Sequence, residues 1–236
     1  MKRKRTAAFF DFDRTLLMVE SARLGIRYLR EKGEVPATFV ARALFRSLFY
    51  RVHLYSDVRF VRFLLTYYQG RPIRPFKEGA EDFYHRWMKP RLAPGILDRV
   101  KWHRDLDHVL VLISGSLRYL LEPVARDLGF DHLICTTLER DENGVLTGCP
   151  AGPVCMESNK KLLAEELALW EDLDMAESFA YGNHQSDLPL LLSVGHPVAV
   201  EPTRPLMKEA RKRGWPVLDF DGTDFGALER EGILPS

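Results

Sequence analysis

Five short apolar runs, spaced between helical patterns, constrain this chain more than any other feature. They are Ala7–Phe10, His108–Ile113, Leu133–Thr136, Ser178–Tyr181 and Pro197–Val200. Runs this short, bounded by turn residues, fit buried strands. Helical patterns cover Leu117–Leu128, Lys161–Leu169 and Pro205–Arg213. That alternation builds right-handed βαβ units, hence an α/β fold around a mostly parallel sheet. Asp141-Glu142-Asn143-Gly144 marks a hairpin turn.

Residues 18–92 break the rhythm. Helices are expected from Ser21 to Lys32, from Pro36 through Phe49, and from an N-cap at Ser56 to just before Gly70. No strong strand signal interrupts them. This segment carries 15 Lys/Arg against 7 Asp/Glu, although the whole chain balances 34 against 33. The overall balance argues against a uniformly basic nucleic-acid binder, so no nucleic-acid partner is expected. Residues 1–17 and 93–236 are therefore expected to form a core domain, with 18–92 as a helical insertion after the first strand. A chain of 236 residues needs neither disulfides nor metal to hold a core. No run approaches the length of a membrane span. Met1–Arg5 resembles the start of a signal peptide, but Asp11 and Asp13 interrupt the apolar run behind it. Cys135, Cys149 and Cys155 lack metal-type spacing, which points to a reducing cytoplasm.

Ligands of an open parallel sheet sit beyond the carboxyl ends of its strands. Three polar clusters fall there: Asp11-Phe12-Asp13-Arg14-Thr15, Ser114-Gly115-Ser116, and Gly182-Asn183-His184-Gln185-Ser186-Asp187. Asp11 and Asp13 are two apart, so near a strand end both carboxylates can be directed to one side. Two close carboxylates repel unless a cation or a shared proton intervenes. Mg²⁺ suits such a pair, because it takes a few carboxylate oxygens and completes its shell with water and substrate phosphate.

The ordered set resembles the haloacid dehalogenase superfamily of phosphohydrolases. Phe9–Thr15 matches its D-x-D-x-T motif, and Val111–Gly115 its strand ending in Ser or Thr. Lys160 matches the Lys that opens a helix, with Lys161 as the alternative register, and Gly182–Asp187 matches the acidic G-D-x-x-x-D loop. The helical insertion resembles the cap of the phosphoserine phosphatase-like branch, subfamily one B. The resemblance implies a Rossmann-like parallel sheet and a Mg²⁺-dependent phosphatase acting on a small phosphomonoester. Asp11 would be the nucleophile that forms an aspartyl-phosphate, and Asp13 the acid/base. Thr15 would steady the first loop. Ser114 and the Gly115 N–H would hold phosphate oxygens at the start of a helix, and Lys160 would neutralise charge between phosphate and Asp11. Asp11, the Asp13 carbonyl, Asn183 and Asp187 would hold Mg²⁺. Asn183 departs from the family pattern, which has an acid there, and implies a weaker metal site.

Glu20 lies nine residues after Asp11, the offset at which phosphoserine phosphatases carry a Glu that meets the substrate amine; it also reads as an acid at a helix start. Arg42, Arg46, Arg51, Arg59 and Arg62 alternate with Phe45, Phe49, Tyr50, Tyr55, Phe60 and Phe63. Three readings fit that texture: a plain cap bundle, attraction of a phosphorylated substrate, and peripheral contact with an anionic membrane, as in a lipid-phosphate phosphatase of the same branch. His103 and His108 read as surface or helix-end residues, His184 as a loop residue beside the site, and the thiols as structural. A phosphotransferase, a phosphoaccepting signalling module and a catalytically silent phosphate binder are the competing classes. Oligomeric state is not legible.

Overall fold

The structure, a computed structural model, describes residues 4–36, 38–42, 45 and 57–224. Its centre is a six-stranded sheet of β1 (Ala7–Phe10), β2 (Val109–Leu117), β3 (His132–Thr136), β6 (Phe179–Gly182), β7 (His196–Val200) and β8 (Val217–Leu218). The order is β3-β2-β1-β6-β7-β8, and every pairing is parallel. A separate antiparallel pair, β4 (Leu138–Arg140) and β5 (Leu146–Pro150), forms the hairpin expected around Asn143-Gly144. The chain is thus α/β and Rossmann-like. Chain order runs outward in both directions from β1 and β6, so the topological switch point lies between them.

Strand β1 shows why the core is apolar on both sides: all four of its residues are fully buried. Successive side chains alternate faces. Ala8 and Phe10 join Leu110, Leu112, Tyr181 and Val198 against helix α4 (Pro94–Asp105) and helix α5 (Arg118–Asp127). Ala7 and Phe9 join Val111, Ala180 and Ala199 against helix α6 (Ser158–Trp170) and helix α8 (Arg204–Arg213). The short helix α7 (Leu188–Leu191) closes the second face.

Between β1 and β2 the described chain is helical. Helix α1 (Ser21–Glu31), helix α2 (Asp57–Leu65) with a 3₁₀ turn at Thr66–Tyr68, and helix α3 (Arg74–Phe83) follow one another. Residues 38–42 and 45 are also helical; the rest of the helix expected through Phe49, the Ser56 cap, and Arg46, Phe49, Tyr50, Arg51 and Tyr55 lie outside the described residues. The segment leaves and returns side by side: Leu17 bridges Leu92, Met18 N donates to Arg91 O at 2.9 Å, and Ala93 N to Leu16 O at 2.8 Å. Its underside (Leu65, Tyr67, Tyr68, Phe76, Ala80) packs on Leu117, Tyr119 and the hairpin residues Leu138 and Leu146. Gly70 N donates to Leu146 O at 2.8 Å, and Leu146 N to Arg71 O at 2.9 Å.

Two expectations need correction. The 108–113 strand does not end at Ile113. It continues to Leu117 through an irregularity between Ser114 and Leu117, so α5 begins only at Arg118. Ser114 still pairs with Cys135, and the extra residues Gly115 and Ser116 bulge out of register with β3 before Leu117 pairs with Thr136; Ser114 and Gly115 therefore lie on the strand and its bulge and not at a helix start. His103 is near a helix end as expected, but it is fully buried. Helical spacing puts Ile96, Val100 and His103 on the face of α4 toward the sheet. There the ring meets His108 Nδ1 at 2.8 Å and the Tyr181 hydroxyl at 2.9 Å, and His108 is half-buried beside it.

Candidate active site

At the carboxyl end of β1, Asp11 is buried, and its N–H donates to Tyr181 O on β6 at 3.0 Å. The chain then reverses. Arg14 takes a left-handed φ of 58°, uncommon for a residue with a Cβ. Thr15 N and Leu17 N both donate to Phe12 O, at 3.3 and 2.8 Å. That turn brings the Thr15 hydroxyl back to donate to Asp11 Oδ2 at 3.2 Å.

The other Asp11 oxygen meets a residue far away in sequence. Lys160, buried in the first turn of α6, donates to Asp11 Oδ1 at 2.6 Å and to Asp187 Oδ1 at 2.6 Å. Burial pushes the Asp11 carboxyl up to about 7, with the Lys160 ammonium opposing and Asp187 adding to the rise. Burial also works against the Lys160 charge, but the two carboxylates overcome it and hold the ammonium above its usual range. The three side chains share one buried ionic contact.

Asp187 is held in turn by the loop after β6. Its Oδ2 accepts from Asn183 N at 3.1 Å and His184 N at 3.0 Å, capping the 3₁₀ turn Gln185–Asp187. Thr203 N fixes the Asn183 carbonyl at 2.9 Å. Gly182 matters because a Cβ there would lie 2.7 Å from Asp187 Cβ. The spacing of the motif identified Gly182 only as its first letter; the close approach beneath it comes from the fold.

Asp13 is half-buried and engaged elsewhere. Its Oδ1 accepts from Ser21 N, the first amide of α1, and its Oδ2 from Ser116 Oγ at 2.6 Å. Ser114 is buried, with its Oγ accepting from Ser116 N at 3.1 Å. A Cβ on Gly115 would lie 2.8 Å from Met156 Cγ. The structure therefore brings Asp11, Thr15, Lys160, Asn183 and Asp187 into one contact network, and Asp13, Ser114, Ser116 and Ser21 into another. Glu20 belongs to neither: it is exposed at the N-cap of α1 and makes no side-chain cap bond. Ser21 and Ser116 carried no separate signal in the sequence, since a Ser beside a helix start or in a turn is commonplace.

The donor set has a definite chemistry. Asp11 and Asp187 supply two carboxylates, the Asn183 side chain a neutral amide oxygen, and Asp13 a backbone carbonyl. Among the described residues no group of three His, Cys, Asp or Glu side chains gathers. Mg²⁺ takes one or two carboxylates and fills the rest of its shell with water and phosphate, so the donor chemistry of these residues fits that ion.

The sequence profile of the haloacid dehalogenase-like hydrolases matches residues 8–192. This chain belongs to that family. Histidinol-phosphatase of Neisseria meningitidis is 30% identical over 222 residues, spanning 90% of this chain and 98% of its own. A phosphoserine phosphatase of Mycobacterium tuberculosis is 29% identical over 220 residues, spanning 91% of this chain and 70% of its own. The solved structure of a protein of unknown function from Bordetella pertussis Tohama I superposes with a TM-score of 0.82 at 26% identity, covering 92% of this chain and 100% of that one. A substrate-bound phosphoserine phosphatase superposes with a TM-score of 0.68 at 18% identity, over 98% of this chain and 99% of that one, a likeness in fold. With such relatives along nearly its full length, this haloacid dehalogenase-like hydrolase is a phosphatase of the phosphoserine phosphatase-like kind. No helix among the described residues is long and apolar enough to cross a membrane.

Proposed function

We propose that this phosphatase hydrolyses a small phosphomonoester with Mg²⁺ through a phosphorylated Asp11, with Asp13 as acid/base. The observation that carries the reading is the buried Asp11 carboxylate at the end of β1, held by a lysine that also holds Asp187. Phosphoryl transfer asks mainly for position and neutralised charge, and this cluster supplies both. An Asp11 oxygen attacks phosphorus while Asp13 gives its proton to the departing alcohol oxygen. Water then attacks the aspartyl-phosphate, Asp13 takes the water's proton, and Asp11 is released with inorganic phosphate. Ser114 and the Gly115 amide receive phosphate oxygens, and Lys160 offsets their charge. Asp11, Asn183, Asp187 and the Asp13 carbonyl would hold Mg²⁺, which supplies charge neutralisation when bound.

Residues 18–92 act in this reading as a cap domain over a core of 1–17 and 93–236; the single antiparallel bridge between Leu17 and Leu92 is the natural pivot. The relatives named for phosphoserine and histidinol phosphate both concern esters with an amine close to the phosphate-bearing carbon. We assign this chain the same class. In this reading the exposed Glu20, one residue before the amide that holds Asp13, meets that amine. Three free cysteines agree with a cytoplasmic setting. A panel of amino-alcohol phosphates assayed with Mg²⁺ tests the reading. Phosphate release from at least one ester, absent in Asp11→Asn, is expected; an Asp11→Asn enzyme as active as the parent overturns it.

A further inference from the structure

We propose that Ser116 is a positioning residue for Asp13, linking this carboxylate to the first residue of the cap helix; the proposal rests on Asp13 being the acid/base. Carboxylate rotation in Asp is broad, because its terminal torsion has no sharp staggered wells. Among the described residues Asp13 has no ion pair to fix it. Two hydrogen bonds do so instead. Ser116 Oγ donates to Oδ2 at 2.6 Å, and Ser21 N donates to Oδ1.

The hydroxyls form a directed chain. Ser116 Oγ lies 2.8 Å from Ser21 Oγ. A serine has one hydroxyl proton, and that of Ser116 goes to Asp13, so Ser21 is the donor to Ser116. The bonds then run Ser21 O–H to Ser116 O–H to Asp13, an arrangement in which each bond polarises the next. Ser116 is itself fixed, since its amide donates to Ser114 Oγ at 3.1 Å. Ser21 is buried at the first position of α1, while Ser116 stands on the β2 bulge. The Asp13 carboxylate is therefore aimed only while α1 sits against the bulge. Ser116 keeps its proton through both chemical steps; the proton that moves travels between Asp13, the leaving oxygen and water.

Leaving-group dependence isolates this role, because p-nitrophenolate departs with little help from an acid and phenolate needs more. The second-order rate constant kcat/KM covers phosphorylation of Asp11 and is measured with Mg²⁺ on phenyl phosphate and p-nitrophenyl phosphate. Ser116→Ala is expected to lose about tenfold or more on phenyl phosphate and less than about threefold on p-nitrophenyl phosphate. Ser116→Thr, which keeps the hydroxyl, restores phenyl phosphate, and Ser21→Ala shows a weaker form of the same selectivity. Asp13→Asn serves as control and shows it most strongly. Equal losses on both esters in Ser116→Ala, or none on either, overturn the proposal while a selective Asp13→Asn leaves the acid/base reading standing. An unselective Asp13→Asn overturns that reading and the proposal with it. Activity on p-nitrophenyl phosphate within about threefold of the parent shows that Ser116→Ala has folded; should it not fold, the selectivity of Ser21→Ala decides in the same way.

Discussion

Lys160 faces two carboxylates at 2.6 Å with almost no water to screen them. Removing one member of a buried ionic cluster leaves the others uncompensated, which costs about 3–5 kcal/mol. Lys160→Met is therefore expected to lower the urea midpoint and abolish phosphate release, whereas Lys161→Met, whose partner is the half-exposed Glu165, changes neither. Asn183 allows a prediction of opposite sign. Asn183→Asp adds a charge to the donor set and should lower the half-saturating Mg²⁺ concentration about tenfold in a titration of activity. Asp187→Ala should fare worse than Asn183→Ala, because it also strips Lys160 and two loop amides of their acceptor. At this scale Asp11, Lys160 and Asp187 were legible because each stands at a strand end or helix start within a recognisable motif. Ser21 and Ser116 were not, because only the meeting of α1 with the β2 bulge makes their hydroxyls neighbours.

Helix α4 carries the clearest dependence on pH. Burial, then His108 and Arg99, push His103 down to about 3, below its ordinary value of 6.5. Between those values the unfolded chain binds the proton that the folded one refuses, so stability falls as pH drops. Above pH 6.5 the effect is absent; below it the loss is about 1.4 kcal/mol per pH unit, or about 2 kcal/mol by pH 5. Urea midpoints across this range should show the slope, and His103→Gln should flatten it. No helix was expected over Pro94–Asp105, where His103 reads only as a surface or helix-end residue; the inward turn of its side chain was not legible, since its partner Tyr181 lies on β6, far along the chain. Element ends were likewise less legible than elements: Ser114-Gly115-Ser116 reads as a turn, and the bulge depends on pairing with β3.

Across the whole molecule, the insertion is docked through an aromatic cluster whose two buried hydroxyls, Tyr68 and Tyr119, lie 2.8 Å apart. Tyr68→Phe leaves the Tyr119 hydroxyl buried with no partner and should cost about 1–3 kcal/mol, while the double change Tyr68→Phe/Tyr119→Phe recovers most of it; urea midpoints of the set read the coupling. The parallel sheet could be read from five apolar runs because buried strands need continuous apolar sequence. The contact between insertion and hairpin could not, since Tyr68 and Leu146 meet only once both have folded. Sheet order gives the chemistry its place: β1 and β6 diverge at the switch point, and Asp11, Lys160 and Asp187 converge there. The most direct test is to mix enzyme, Mg²⁺ and a turned-over phosphomonoester, quench in acid within one turnover, and map the phosphorylated peptide by mass spectrometry. A phosphoryl group on Asp11, acid-stable and hydroxylamine-labile, is the expected result; steady turnover with no label on Asp11, or with label on another residue, contradicts it.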